Sequence, residues 1–398
     1  MRVSLAARTP SPPGDEPAPE PMLDPSGAAT VLGAELGEDG LAVPVVARED
    51  TLFGPRAACL ASEAGPLFVS DTGHHRVLVW RRRPREDRTP ADFVLGQPSM
   101  RAEGRNAKGE VGGATLNVPT GIAAVAGVLA IADAWNHRVL LWLDAPARAN
   151  QPADVVLGQA DLRGSLANRG GDAPAADTLH WCYGVALLDG RLFVCDTGNR
   201  RVLVWDAIPT RHGTKADRVL GQRDFVTRDE NAGESAGPSG MRWPHGIARY
   251  EGALLVADAG NNRVMGWHTL PARNGAPCDF VLGQTDPSAV DHNRTAYRPT
   301  AISMNMPYAL AVQRRRLVVA DTANSRLLGF SGDGEALHTG APARYLAGQF
   351  GFADKGDNRW QPAMRDSLCW PYGVAAMGDT LVVADAGNNR VLLWEAFP

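Results

Sequence analysis

Apolar residues along the chain fall into short runs that recur with a fixed polar interruption. The run from Leu381 to Trp394 reads LVVADAGNNRVLLW: apolar residues lead into Asp385, a small polar segment follows, and a second apolar run closes on Trp394. Short β-branched runs separated by an Asp/Gly/Asn cluster predict an antiparallel hairpin. The pattern occurs five more times, as LFVSDTGHHRVLVW from Leu67, LAIADAWNHRVLLW from Leu129, LFVCDTGNRRVLVW from Leu192, LLVADAGNNRVMGW from Leu254 and LVVADTANSRLLGF from Leu317. Its aspartates, Asp71, Asp133, Asp196, Asp258, Asp321 and Asp385, stand 62, 63, 62, 63 and 64 residues apart. A period held over six copies marks a repeat architecture.

Two further strand signals complete each unit. A Pro-x-Gly-apolar-Ala signal precedes the hairpin at Pro119, Pro244 and Pro371, drifts at Cys182 and Pro307, and is weakest at Pro55. An apolar run ending in Gly-Gln follows the hairpin, at Gln97, Gln159, Gln222, Gln284 and Gln349. Four short strands per unit, six units and no helical periodicity predict an all-β, six-bladed β-propeller of four-stranded blades. The last unit stops without a fourth strand, whereas Thr30–Gly33 is a fourth strand with no unit before it; Gly33 precedes Gly96 by 63 residues. The N-terminal strand is therefore expected to complete the last blade and close the ring, leaving no open edge between blades. Residues 1–25 hold seven prolines and few large apolar side chains. They are expected to form a flexible tail ahead of a propeller spanning 26–398.

Composition narrows the function class. A net charge of −4 disfavours a protein built to coat nucleic acid or an anionic membrane. The five cysteines are odd in number and lack C-x-x-C spacing, which reads as reduced thiols in a cytoplasmic protein. The N-terminus has no apolar signal core, and the most apolar window, Ile122 to Ala132, is too short to span a bilayer.

The Pro-x-Gly-apolar-Ala, V-A-D and N-x-R-V-x-x-W elements resemble the NHL-repeat family, whose repeat is a propeller blade, over roughly residues 27 to 398. Departures are His74 for the turn Asn, Phe330 for the closing Trp, Ala34 for the Gln, and units about twenty residues longer than the family's usual repeat. The resemblance implies the fold. It leaves function open, because the family includes RNA-binding propellers, protein-interaction platforms and an amidating lyase.

Residues present in every blade, such as the Asp/Arg pair, are read as structural, since a site needs its groups once. Turn-forming Asn106, Asn168, Asn231, Asn293 and Asn358, nine residues after each Gln, are expected to order the long loops. Positions that vary are more informative. Before the strand-one Gly or Ala stand Arg56, Thr120, Tyr183, His245, Tyr308 and Tyr372. Just upstream come His180 with Trp181, Arg242 with Trp243, Asn305 with Met306, and Cys369 with Trp370. These sit where strand one enters the channel mouth, and aromatics with Arg and His around a concavity suit ligand binding. The competing reading is a plug of rings that only pack on one another. No metal is expected: His180, Cys182 and His245 lack the spacing of a ligand set. No cofactor is called for, and catalytic residues are not identifiable.

The expected function is a non-catalytic binding or scaffold module, engaging a protein partner or ligand on the channel-mouth face. The alternatives are a channel-centred lyase or hydrolase, with or without metal, and RNA binding. A protein partner is the leading expectation and a small molecule the second; nucleic acid is disfavoured and no membrane role is expected. Basic runs Arg81–Arg85 and Arg314–Arg316 are expected on the opposite face.

Overall fold

A computed structural model describes residues 17–33, 45–331 and 336–398. Six sheets, each with four antiparallel strands, make the six blades; five run in chain order from the inside out, and the sixth takes its outer strand from the N-terminal segment. Blade four is representative, with strands Pro244–Tyr250, Ala253–Asp258, Arg263–Trp267 and Phe280–Leu282. Among the described residues the helices are 3-10 turns of three or four residues. Each hairpin turn is such a turn, ended by a residue in the left-handed conformation; Asn262 in blade four has φ 54°.

Closure follows the repeat. Strand Thr30–Leu32 pairs antiparallel with the third strand of blade six, Thr30 opposite Leu393 and Leu32 opposite Val391. Its Ala34 lies outside the described residues. The closing aromatics bind neighbouring blades together. Trp142 shares a core cluster with Phe68 and Val77, Trp394 with Val318 and Leu327, and Trp80 with Val382 and Leu393 across the closure.

The segment assigned to the tail behaves differently from the expectation. Residues 1–16 lie outside the described residues, but Glu20–Pro21 pairs parallel with the outer strand of blade five as a fifth strand. Met22 and Leu23 are buried. The Phe397 N–H donates to the Met22 carbonyl, and Trp394 Nε1–H to the Asp24 carbonyl at 2.8 Å. In other blades that indole bonds the loop between strands three and four, as Trp80 does with Thr89. The N-terminal segment thus supplies the loop that blade six lacks, which is why it is ordered despite its prolines.

Proximity at the axis explains the strand-one glycine. A Cβ on Gly184 would stand 1.8 Å from the His245 carbonyl oxygen, and one on Gly121 would stand 2.5 Å from that of Tyr183. Neighbouring inner strands approach too closely for a side chain there, so the channel is narrow.

Candidate functional site

Antiparallel order divides the propeller into two faces. The turns between strands two and three share one face with the long loops joining each outer strand to the next blade. The turns between strands one and two, and the loops between three and four, occupy the other.

The repeated ion pair organises the loop face without opening onto it. Asp258 and Arg263 are buried and opposite each other in the ladder, with Arg263 Nε–H donating to Asp258 Oδ2 at 3.1 Å. The same carboxylate accepts from Asn261 Nδ2 at 2.6 Å and from the N–H groups of Arg242 and Trp243. Arg263 Nη2 donates to the Gly237 and Gly240 carbonyls. Acceptors and donors are saturated within the fold. The loop asparagines reach the same network: Asn231 Oδ1 accepts from Asn261 Nδ2, and Asn168 and Asn199 exchange bonds in both directions. In blade one, His74 takes the place of the turn Asn and bonds Asp71 through Nδ1.

A second inter-blade link was not legible in the residues. The left-handed turn residue of one blade accepts from the main-chain N–H that leads into the next. His75 receives Val118, His137 receives Trp181, Asn262 receives Met306, and Asn389 receives Gly54. Ser325 Oγ receives the Trp370 N–H at 3.2 Å from the same place in the turn of blade five. Each of these lead-in residues has a positive φ, for example 56° at Val118 and 49° at Trp181. Such values are strained for β-branched or bulky side chains and persist only where the surroundings enforce them. The exception supports the cause: Arg200 has no acceptor atom, and Trp243 turns its N–H to Asp258 instead.

Six inner strands bring five of the candidate residues together over the axis. Arg56 lies with its guanidinium carbon 3.6 Å from the Tyr372 ring centre and donates from Nη1 to Tyr183 Oη at 3.3 Å. His245 sits between Tyr183 and Tyr308, with ring centres 4.2 and 4.3 Å away. Tyr308 meets Tyr372 at 4.7 Å, edge to face. Together they line a cavity of about 80 Å³. His245 Nδ1–H donates to the Trp243 carbonyl at 2.8 Å, which fixes the tautomer. Burial pushes the His245 imidazole down to about 3 and the Tyr308 hydroxyl up to about 12. Tyr183 is raised for the same reason. The mouth therefore holds neutral rings and one cation.

The other candidates do not line that cavity, although Thr120, Trp243 and Trp370 touch residues that do. Thr120 is buried, its hydroxyl donating to the Tyr183 carbonyl. His180 packs against His137 at 5.3 Å, Arg242 pairs with Glu230 at 3.0 Å, and Asn305 binds Asp321 through its main chain. Trp243 lends its carbonyl to His245, while Trp370 stacks on Tyr372 at 6.2 Å. Trp181 is exposed. Among the described residues no cluster of three or more His, Cys, Asp or Glu could hold a metal ion.

Reading only the channel mouth missed the wider face. Of twelve exposed large apolar residues among those described, ten lie on the loop face, with Val125 and Phe397 the exceptions. Phe53, Trp135, Trp181, Tyr297, Phe350 and Trp360 are its exposed aromatics. Cations cover several of them: Arg105 lies 5.2 Å from the Trp135 ring, Lys355 3.9 Å from Tyr297 and Arg359 4.4 Å from Phe350. The available signal was aromatic residues in loops at positions that do not repeat. On the opposite face Arg81, Arg82, Arg83 and Arg85 border a groove of about 450 Å³. Arg81 pairs with Asp92 and Arg83 with Glu395.

No family model matches the chain. It is similar to NHL repeat-containing protein 2 from Bos taurus, 23% identical over 390 residues, which cover 91% of this chain and 48% of that protein. The chain thus spans about half the length of the curated relative it matches. Among solved structures it is similar to a protein of unknown function from Bacteroides thetaiotaomicron VPI-5482, with TM-score 0.50 and 12% identity. That match covers 94% of this chain and 75% of the other, and speaks to fold alone. A virginiamycin B lyase from Staphylococcus aureus matches with TM-score 0.45 and 11% identity, over 94% of this chain and 98% of the other. No helix among the described residues is long and apolar enough to cross a membrane.

Proposed function

We propose that this chain, an NHL-type β-propeller by its repeat and its similarity to NHL repeat-containing protein 2, acts as a non-catalytic binding module that docks a protein partner on its loop face. The observation that carries the reading is the segregation of exposed large apolar side chains onto that face. Protein interfaces are enriched in aromatic residues and Arg, and anchors of this kind dominate their energetics. The arginines lying on Trp135 and Phe350 fit that composition. A wide loop surface suits a protein better than a small molecule, while the narrow mouth at its centre suits one group inserted from the partner.

The same proposal puts the protein in the cytoplasm. All five cysteines are free and four are buried, an arrangement compatible with a reducing compartment.

Affinity capture with quantitative mass spectrometry tests the face. Trp135→Ser with Trp360→Ser should lose a defined set of proteins that wild type and Arg82→Ala with Arg315→Ala both retain, and the purified partner should rebind wild type alone. Loss by the arginine variant and retention by the tryptophan variant would overturn the reading.

A further inference from the structure

Among the described residues the guanidinium at the channel mouth has no counter-charge. Among the described residues Arg56 contacts the Tyr183 hydroxyl and the Tyr372 ring, and no carboxylate pairs with it. Every other copy of this position is neutral: Thr120, Tyr183, His245, Tyr308 and Tyr372. A half-buried cation normally acquires an anion, because removing charge from water is costly unless it is paired. Contact with an aromatic face offsets only part of that cost. The tyrosines cannot supply the anion, since burial keeps Tyr183 and Tyr308 protonated. Their hydroxyls are donors, and that of Tyr308 makes no hydrogen bond among the described residues.

We infer that the channel mouth is a carboxylate site, in which Arg56 holds the anion and the Tyr308 hydroxyl donates to it. Three observations converge on that ligand. A planar guanidinium matches a carboxylate in a forked geometry. A cavity of about 80 Å³ admits a group of that size and little more. The residues that line it further along each inner strand, Ile122, Val185, Ile247, Leu310 and Val374, are uncharged, so Arg56 is the cation available on the cavity among the described residues. The carboxylate belongs either to a free small acid or to the chain terminus of a peptide. The inference deepens the binding-module reading and rests on it only for the second source.

Isothermal titration of the full chain at constant ionic strength tests the inference. The probes are N-acetylglycylglycine, its C-terminal amide and sodium acetate. The free-acid peptide should bind at one saturable site and the amide about tenfold or more weakly, as expected for loss of a charged hydrogen bond. Arg56→Gln should weaken the acid on the order of tenfold or more. Tyr308→Phe keeps the ring packing and should weaken it less, and it decides the matter if Arg56→Gln does not fold. Acetate binding as tightly as the peptide acid supports a small-acid site, and tighter peptide binding supports a terminus site. Equal affinity for acid and amide, no binding of either carboxylate, or wild-type affinity in both variants would overturn the inference. The loop-face reading fails instead in the tryptophan variant, where Arg56 is untouched.

Discussion

The main-chain N–H of Trp181 donates to Nδ1 of His137 at 2.9 Å, fastening the entry of blade three to the turn of blade two. That bond requires a neutral imidazole with its lone pair on Nδ1. Burial, with His180 beside it, pulls His137 down to about 4. In the unfolded chain the group titrates near about 6.5. Between those values the unfolded state holds the proton and the folded state does not, so this contribution is complete above about 6.5 and is lost as pH falls toward 4. His245, held at about 3, acts in the same direction. Asn262 and Asn389 make the same link without titrating. His137→Asn should therefore match wild type near pH 7.5 and melt at a higher temperature than wild type near pH 5. Parallel pH profiles of melting temperature would remove His137 from the account.

Ring closure depends on residues ahead of the closing strand. A chain beginning at residue 26 should unfold well below one beginning at residue 17. It loses the buried Met22 and Leu23, together worth about 3–6 kcal/mol of burial. Denaturant unfolding of the two truncations measures the difference, and coincident midpoints would contradict the described packing.

Asp258→Asn places an amide donor where Asn261 Nδ2 and Arg263 Nε both donate. Breaking one partner of a buried ion pair costs about 3–5 kcal/mol. The variant should lose stability on that order, read by chemical denaturation, while the fraction that stays folded still captures partners. Lost capture at an unchanged midpoint would make the pair functional rather than structural.

Gly184→Ala drives a Cβ into the His245 carbonyl, which is backbone and cannot swing aside. Overpacking of this kind typically costs about 1–3 kcal/mol. The expected result is a lower melting temperature together with weakened carboxylate binding, because the inner strands carrying Tyr183 and His245 must separate. A melting temperature equal to wild type would show that the axis has room.

The hairpins, blade count and closing strand were legible because they recur in phase, so each copy checks the others. Links between blades were not: their acceptors are His75, His137, Asn262, Ser325 and Asn389, which share a lone pair but no identity. Met22 and Leu23 were hidden for another reason, since two apolar residues among prolines make no period. At the mouth, variation across copies pointed to Arg56, Tyr183, His245, Tyr308 and Tyr372. Their mutual packing depends on the width of the axis, which follows from three-dimensional contacts such as Gly184 against His245. Sequence alone also could not tell Thr120, whose hydroxyl binds the Tyr183 carbonyl, from the residues that face the cavity.

Hydrogen exchange with a purified captured partner tests the loop face most directly. The account predicts slowed exchange in the loops carrying Phe53, Trp135, Trp181, Phe350 and Trp360, with the Arg81–Arg85 segment and the turn at Arg314 unchanged. Protection confined to those two basic segments would contradict it and move the working surface to the opposite face.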